Sequence, residues 1–164
     1  MITELVSCLD HTLTFVGQQV ADLSDEEMLL QPSGAPNHAV WTIGHIIHSW
    51  QAMAVELGAE PWLPSDWGSH FGYGSIPSSE TSGFSSKSTL LATLADTSNR
   101  LKAALLGTDD RSLARPIPDE ETREVMPTMG HLLMQVIVGH TAFHAGQLAA
   151  WRRAIGRVPV GVFI

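Results

Sequence analysis

Near the end of the chain, Leu133, Ile137, His140, His144, Leu148 and Trp151 recur at three- and four-residue steps, a spacing that puts all six on one face of an α-helix. That face is apolar except for two imidazoles. Residues four apart in a helix lie about one turn apart on the same side, so His140 and His144 project together from the inward stripe. Two rings so placed reach a single transition-metal ion, with N-to-metal bonds of roughly 2.0–2.1 Å, if a third ligand arrives from elsewhere in the chain. The same spacing also occurs in packed helices whose histidines simply hydrogen-bond their neighbours, and the segment alone leaves both readings open. Thr141 follows His140, so the His-Glu-x-x-His signature, with its adjacent glutamate base, is absent and zinc-peptidase chemistry is disfavoured.

Helical periodicity extends over most of the chain. Ile2, Leu5, Leu9, Leu13, Val16, Val20 and Leu23 predict a first amphipathic helix of about six turns. Ser24 with Glu27 reads as a capping box for a short second helix, which Pro32-Ser33-Gly34-Ala35-Pro36 terminates. Asn37 is the expected N-cap of a helix from about His38 to Leu57, with Gly58 after it. Val40, Ile43, Ile47, Trp50, Ala54 and Leu57 form its core stripe. Trp41, His45, His48, Ala52 and Val55 form a second, mixed face, as expected of a bundle helix that also pairs with another subunit.

From Gly58 to Lys87 prolines, glycines and serines break the pattern, and Gly83 lies among them. A connection of roughly thirty residues is uncommon unless it is functional or partly helical. Trp62, Trp67, His70, Phe71 and Tyr73 make it aromatic, so it is expected to pack on the bundle, either simply to cross its length or to wall a pocket with Trp67, His70 and Tyr73. Ser88 is the expected cap of a further helix carrying Leu90, Leu91, Leu94, Leu101 and Leu105, ended by Gly107. Asp109 to Glu124 reads as polar connection, and Pro127 as the first turn of a final helix running to about Ile155. Four long helices without convincing strands imply an all-α four-helix bundle, a single domain over residues 1–164. The long crossover between the second and third main helices implies that those two run parallel.

Charge and cysteine content narrow the partners. A formal charge of −8 repels a phosphate backbone, so nucleic acid is disfavoured as a partner. Arg152, Arg153 and Arg157 fall at the end of the last helix, where they complement its dipole. Cys8 stands alone, which excludes an intrachain disulfide and suits a reducing cytoplasm. The start of the chain has no signal-peptide pattern, and no apolar run approaches the ~20 residues of a membrane span. The expected location is cytoplasmic. The apolar tail Val158 to Ile164, with Phe163, and Trp151 suit either a subunit interface or a fold back onto the bundle.

A third ligand has six candidates by composition: His11, His38, His45, His48, His70 and His131. His38 and His70 are expected near solvated loops, and His131 lies about two and a half turns from His140, beyond common reach. Trp41-Thr42-Ile43-Gly44-His45-Ile46 is similar to the Trp-x-Leu-Gly-His-Leu stretch of the DinB-like (YfiT-like) metal-binding superfamily. His140-x-x-x-His144-x-Gly146-Gln147-Leu148 is similar to that superfamily's His-x-x-x-His-x-Gly-Gln-Leu stretch. The helix order, the aromatic crossover and Leu113-Ala114-Arg115-Pro116 resemble it too, over nearly the whole chain.

The resemblance implies a four-helix bundle holding a divalent metal, zinc or nickel, on His45, His140 and His144, with His48 as the substitute for His45. Relatives of this kind include thiol-dependent transferases and isomerases. The implied function is a metal-dependent enzyme, of thiol S-transferase or hydrolase type, with an open coordination position; the alternative is a non-catalytic metal- or small-ligand-binding homodimeric module. A small-molecule substrate, including a low-molecular-weight thiol, and a homodimer are the expected partners, with neither nucleic acid nor membrane. Gln147 is placed to orient a ligand or substrate, or to pack between helices. Asp10, His11 and His48 are the acid–base candidates, without support from spacing.

Overall fold

The first helix, α1 (Ile2–Val20), buries Leu5, Leu9, Val16 and Val20 at four- and seven-residue intervals, the stripe its sequence carries. The computed structural model describes residues 1–78 and 86–160. After α1 the capping box forms as expected: the Ser24 N–H donates to Glu27 Oε2 at 2.9 Å, and the Glu27 N–H donates to Ser24 Oγ at 3.2 Å. What it opens is a single 3₁₀ turn, Glu27–Leu29, before the proline-rich stop.

Helix α2 (Ala39–Glu56) starts one residue later than Asn37 predicted. Its cap is His38, whose Nδ1 accepts the Trp41 N–H at 3.1 Å while its Nε2–H donates to the Ser78 carbonyl at 3.2 Å. His38 is therefore a buried structural residue rather than a solvated loop one. Val40, Ile43, Ile47, Trp50 and Ala54 form the core stripe. The part of the second face that carries Trp41 and His45 is covered by the chain's own crossover, which folds into α3 (Trp67–Phe71), whereas Ala52 and Val55 stay exposed.

Helix α4 (Lys87–Leu106) is capped by Ser86, two residues ahead of the expected Ser88, and ends at Gly107. Gly83 and the end of the crossover lie outside the described residues. The polar stretch that follows folds into two short helices, α5 (Asp110–Leu113) and α6 (Glu120–Val125), each opened by an aspartate, Asp109 or Asp119, that accepts a backbone N–H. Leu113 and Ile117 anchor it in the core. Pro127 stands outside the last helix; its carbonyl accepts the Ile117 N–H, in an isolated antiparallel bridge that pairs Pro116 with Thr128.

The last helix has three parts: α7 (Met129–Met134), a π-helical segment Gln135–His140, and α8 (Thr141–Ala154). Helices α1, α2, α4 and α7–α8 pack as the four-helix bundle. Residues Leu57 to Trp62, just after α2, lie against Arg100 to Gly107 at the end of α4, so α2 and α4 run parallel and the long crossover spans the bundle. Lys87 at the start of α4 donates to the Val20 and Ala21 carbonyls at 3.2 Å and to that of Leu23, so α1 and α4 are antiparallel.

Arg152, fully buried, closes the far end. It donates to both Asp22 carboxylate oxygens (2.6 and 2.9 Å), to the Gln19 carbonyl (2.8 Å) and to the Val158 carbonyl (2.7 Å). Gln19 also donates to the Val160 carbonyl, so the tail through Val160 folds back on the bundle; Phe163 lies outside the described residues. Trp151 is likewise buried, donating to the Leu30 carbonyl at 2.6 Å. Among the described residues no helix is long and apolar enough to cross a membrane.

Candidate metal centre

His45 on α2 and His140 and His144 on the last helix meet where these two helices face each other. One ring nitrogen from each lies within 4.8 Å of the others. The Nε2 of His140 is 3.1 Å from the Nε2 of His45 and 3.1 Å from that of His144. Around an ion held by three imidazoles at roughly 2.0–2.1 Å in tetrahedral geometry, neighbouring nitrogens sit roughly 3.3 Å apart. The donor set fits a divalent transition metal in kind and in spacing.

The opposite ring nitrogens explain why Nε2 faces inward. The Nδ1–H of His45 donates to the Phe71 carbonyl at 2.6 Å, and that of His144 donates to Gln147 Oε1 at 2.8 Å. A carbonyl oxygen only accepts, so each proton sits on Nδ1 and each Nε2 presents a lone pair to the cluster. Such partners are the usual outer support of metal-bound imidazoles. His140 lacks one, since its buried Nδ1 has no hydrogen-bond partner among the described residues.

The short first motif supplies the support around His45. The Trp41 ring stacks on the His45 ring at 4.8 Å with 7° between planes, and its Nε1–H donates to Ser75 Oγ at 2.9 Å. Gly44 is where α3 seats, because a Cβ there would stand 2.4 Å from the Phe71 ring. The Trp67 Nε1–H completes the joint by donating to the Gly44 carbonyl at 3.1 Å. Glycine on α2 thus lets the crossover come close enough to hand its Phe71 carbonyl to His45. Phe71 was expected to pack on the bundle; that its backbone orients His45 has no signature in local sequence.

On the other helix the π-helical segment changes the phase. Thr141, not His140, takes the buried position: its N–H and its hydroxyl (2.9 Å) both reach the Val136 carbonyl five residues back, and its hydroxyl accepts from Trp50 Nε1 at 3.1 Å. His140 is turned partway off the core stripe, toward a cavity of about 280 Å³ that it lines together with His45. Single π turns inside α-helices are frequent at functional sites. His48, Ser49 and Tyr73 line the same cavity, and Gln135 folds over Gly139 at its edge.

The remaining candidates fall elsewhere. His48 lies one turn from His45, but its ring packs by Gly68 and stays outside the three-nitrogen cluster. Tyr73 reaches the cavity while fully exposed; Trp67 stands behind the site, and His70 lies 3.8 Å from Asp66 on α3. Asp10 pairs with Lys102 on the α1–α4 surface, and neither it nor His11 lines the cavity. Burial is the main cause holding the imidazole pKa values of His45, His48, His140 and His144 below the ordinary range. For His144, helped by the neighbouring His140 and His45 and opposed by Gln147, the value falls to about 4. All four are neutral at pH 7, the form in which imidazole ligates a metal.

Comparison with known proteins supports the helical fold and shows the family. A solved structure described as the conserved protein of locus from Enterococcus faecalis superposes with a TM-score of 0.75 at 20% identity, covering 96% of this chain and 98% of that one; the likeness is one of fold. The comparison with curated proteins found no match. A family model described as the DinB superfamily matches residues 13–148. With that match over most of its length, its helical bundle and its clustered histidines, the chain belongs to the DinB superfamily.

Proposed function

We propose that the chain binds one divalent metal ion, zinc or nickel, through the Nε2 atoms of His45, His140 and His144, and acts as a metal-dependent enzyme of thiol S-transferase or hydrolase type. The observation that carries this reading is the convergence of three Nε2 atoms, two of them held lone-pair-inward by Phe71 and Gln147. Three neutral imidazoles leave a coordination position open, where a bound ion lowers the pKa of a water or thiol toward neutrality.

The chain's own residues divide the remaining work. Trp41 and Phe71 shield one side of His45 from water, and the cavity on the other side receives the substrate. His48 lines that cavity as a neutral imidazole, its pKa lowered first by burial and then by the nearby His45, so it is the group able to accept a proton there. A low-molecular-weight thiol in a reducing cytoplasm is the substrate we favour.

The test is metal content per chain, by elemental mass spectrometry, for untagged protein purified without chelator and for its His140→Ala variant. About one zinc or nickel per chain, lost in the variant, supports the centre. Equal metal in the variant, or none in the parent after incubation with both metals, overturns it. Turnover with thiols and electrophiles then separates an enzyme from a binding module, which saturates without product.

A further inference from the structure

We propose that Gln135 is the positioning residue of His140: with the His140 Nε2 on the ion, its Nδ1–H donates to the Gln135 amide oxygen. The proposal rests on the three-imidazole reading above and completes the outer support of that site. An imidazole that ligates through Nε2 carries its proton on Nδ1. For His45 and His144 the acceptors are in place, the Phe71 carbonyl and Gln147 Oε1. The Nδ1 of His140 is buried and has no hydrogen-bond partner among the described residues, so its proton needs an acceptor once the ring is a ligand.

Besides the ligands, the polar side chains lining the cavity that His140 faces are His48, Ser49, Tyr73 and Gln135. The His48 ring packs by Gly68, the Ser49 hydroxyl donates to the His45 carbonyl at 2.9 Å, and Tyr73 is fully exposed. Gln135 stands on the helix of His140, five residues before it, and the helix type decides what that spacing means. At 3.6 residues per turn, residues five apart stand roughly 140° apart around an α-helix axis. The π-helical segment Gln135–His140 widens the turn to an i→i+5 repeat and brings the two onto one side. Gly139 clears the way: Gln135 Oε1 lies 2.9 Å from where a Gly139 Cβ would stand, across bare backbone next to His140. Gln135 is exposed, so its amide turns from Gly139 to His140 without unpacking the core. His144 and Gln147 make the same kind of pair three residues apart, the spacing that α8 puts on one face.

The experiment loads the untagged protein, Gln135→Leu and Gln135→Glu with Zn²⁺, and reads affinity by chelator competition and the histidine ring protons by ¹H–¹⁵N NMR. Gln135→Leu is expected to bind zinc about tenfold more weakly, and its His140 Nδ1–H resonance to vanish into exchange with water. Gln135→Glu keeps an acceptor at the same reach and is expected to retain both the affinity and the resonance. Unchanged affinity in Gln135→Leu, weaker binding with the His140 resonance intact, or a glutamate variant as weak as the leucine one overturns the proposal while the metal centre stands. A parent protein that binds no zinc also overturns it, and one that binds neither zinc nor nickel overturns the metal reading as well.

Discussion

His45 and Phe71, 26 residues apart, are joined by a hydrogen bond of 2.6 Å from the imidazole Nδ1–H to the backbone carbonyl. That bond fixes the tautomer of His45 and aims its Nε2 at His140. It exists because α3 lies directly on α2, and α3 lies there because residue 44 has no side chain.

Gly44→Ala tests this joint. In an ordinary helix interior the change would stabilise by up to about 1 kcal/mol through helix propensity. Here the new methyl would meet the Phe71 ring at 2.4–2.7 Å, and overpacking of this kind costs about 1–3 kcal/mol. The clash wins. The variant is expected to unfold at lower temperature and to bind zinc about tenfold more weakly, since Phe71 withdraws from His45. A more stable variant with unchanged zinc affinity would show that α3 does not hold His45.

Gln147 tests the support of His144. Its Oε1 accepts the His144 Nδ1–H at 2.8 Å, and its half-exposed position makes substitution mild for the fold. Gln147→Leu is expected to weaken zinc binding by roughly 10–100-fold, measured by competition with a chromophoric chelator, with little change in melting temperature. Gln147→Glu keeps an acceptor at the same reach and is expected to retain or tighten binding. Equal affinity in all three proteins would reduce Gln147 to a packing residue.

Acidity tests the buried imidazoles of the metal-free protein. The His144 pKa falls from 6.5 to about 4, chiefly through burial, so between those values the unfolded chain takes up a proton that the folded chain refuses. The stability that goes with the neutral ring is fully present above pH 6.5 and is lost as pH falls toward 4. The loss amounts to as much as about 3 kcal/mol for this residue. The other two cluster histidines shift in the same direction. Urea unfolding midpoints at pH 7.5, 6 and 5 should therefore decline steadily, and His144→Ala should flatten part of the decline. A midpoint constant across that range would mean that His144 is not held neutral.

Much of the fold was legible because helix formation is a local matter. Stripes at three- and four-residue steps located α1, α2, α4 and the last helix, and the Ser24–Glu27 capping box formed as its spacing requires. Caps were misplaced by one or two residues, Asn37 for His38 and Ser88 for Ser86, because several neighbouring side chains can satisfy the same free backbone N–H groups. The same periodicity put His140 and His144 on one helix, and the two motifs made the family recognisable.

What the sequence by itself determined, then, is the set of long helices and which of them carries each of His45, His48, His140 and His144. Only the tertiary structure decided which histidines meet. His45 and His48 lie one turn apart on α2, and local spacing offers both; the rotation of α2 in the bundle and the seating of α3 on Gly44 point His45 at the cluster and leave His48 beside Gly68 and the cavity. The π-helical segment is likewise a product of packing. It places Thr141 under Trp50 and turns His140 toward the cavity, through contacts across the bundle that no window of local sequence contains.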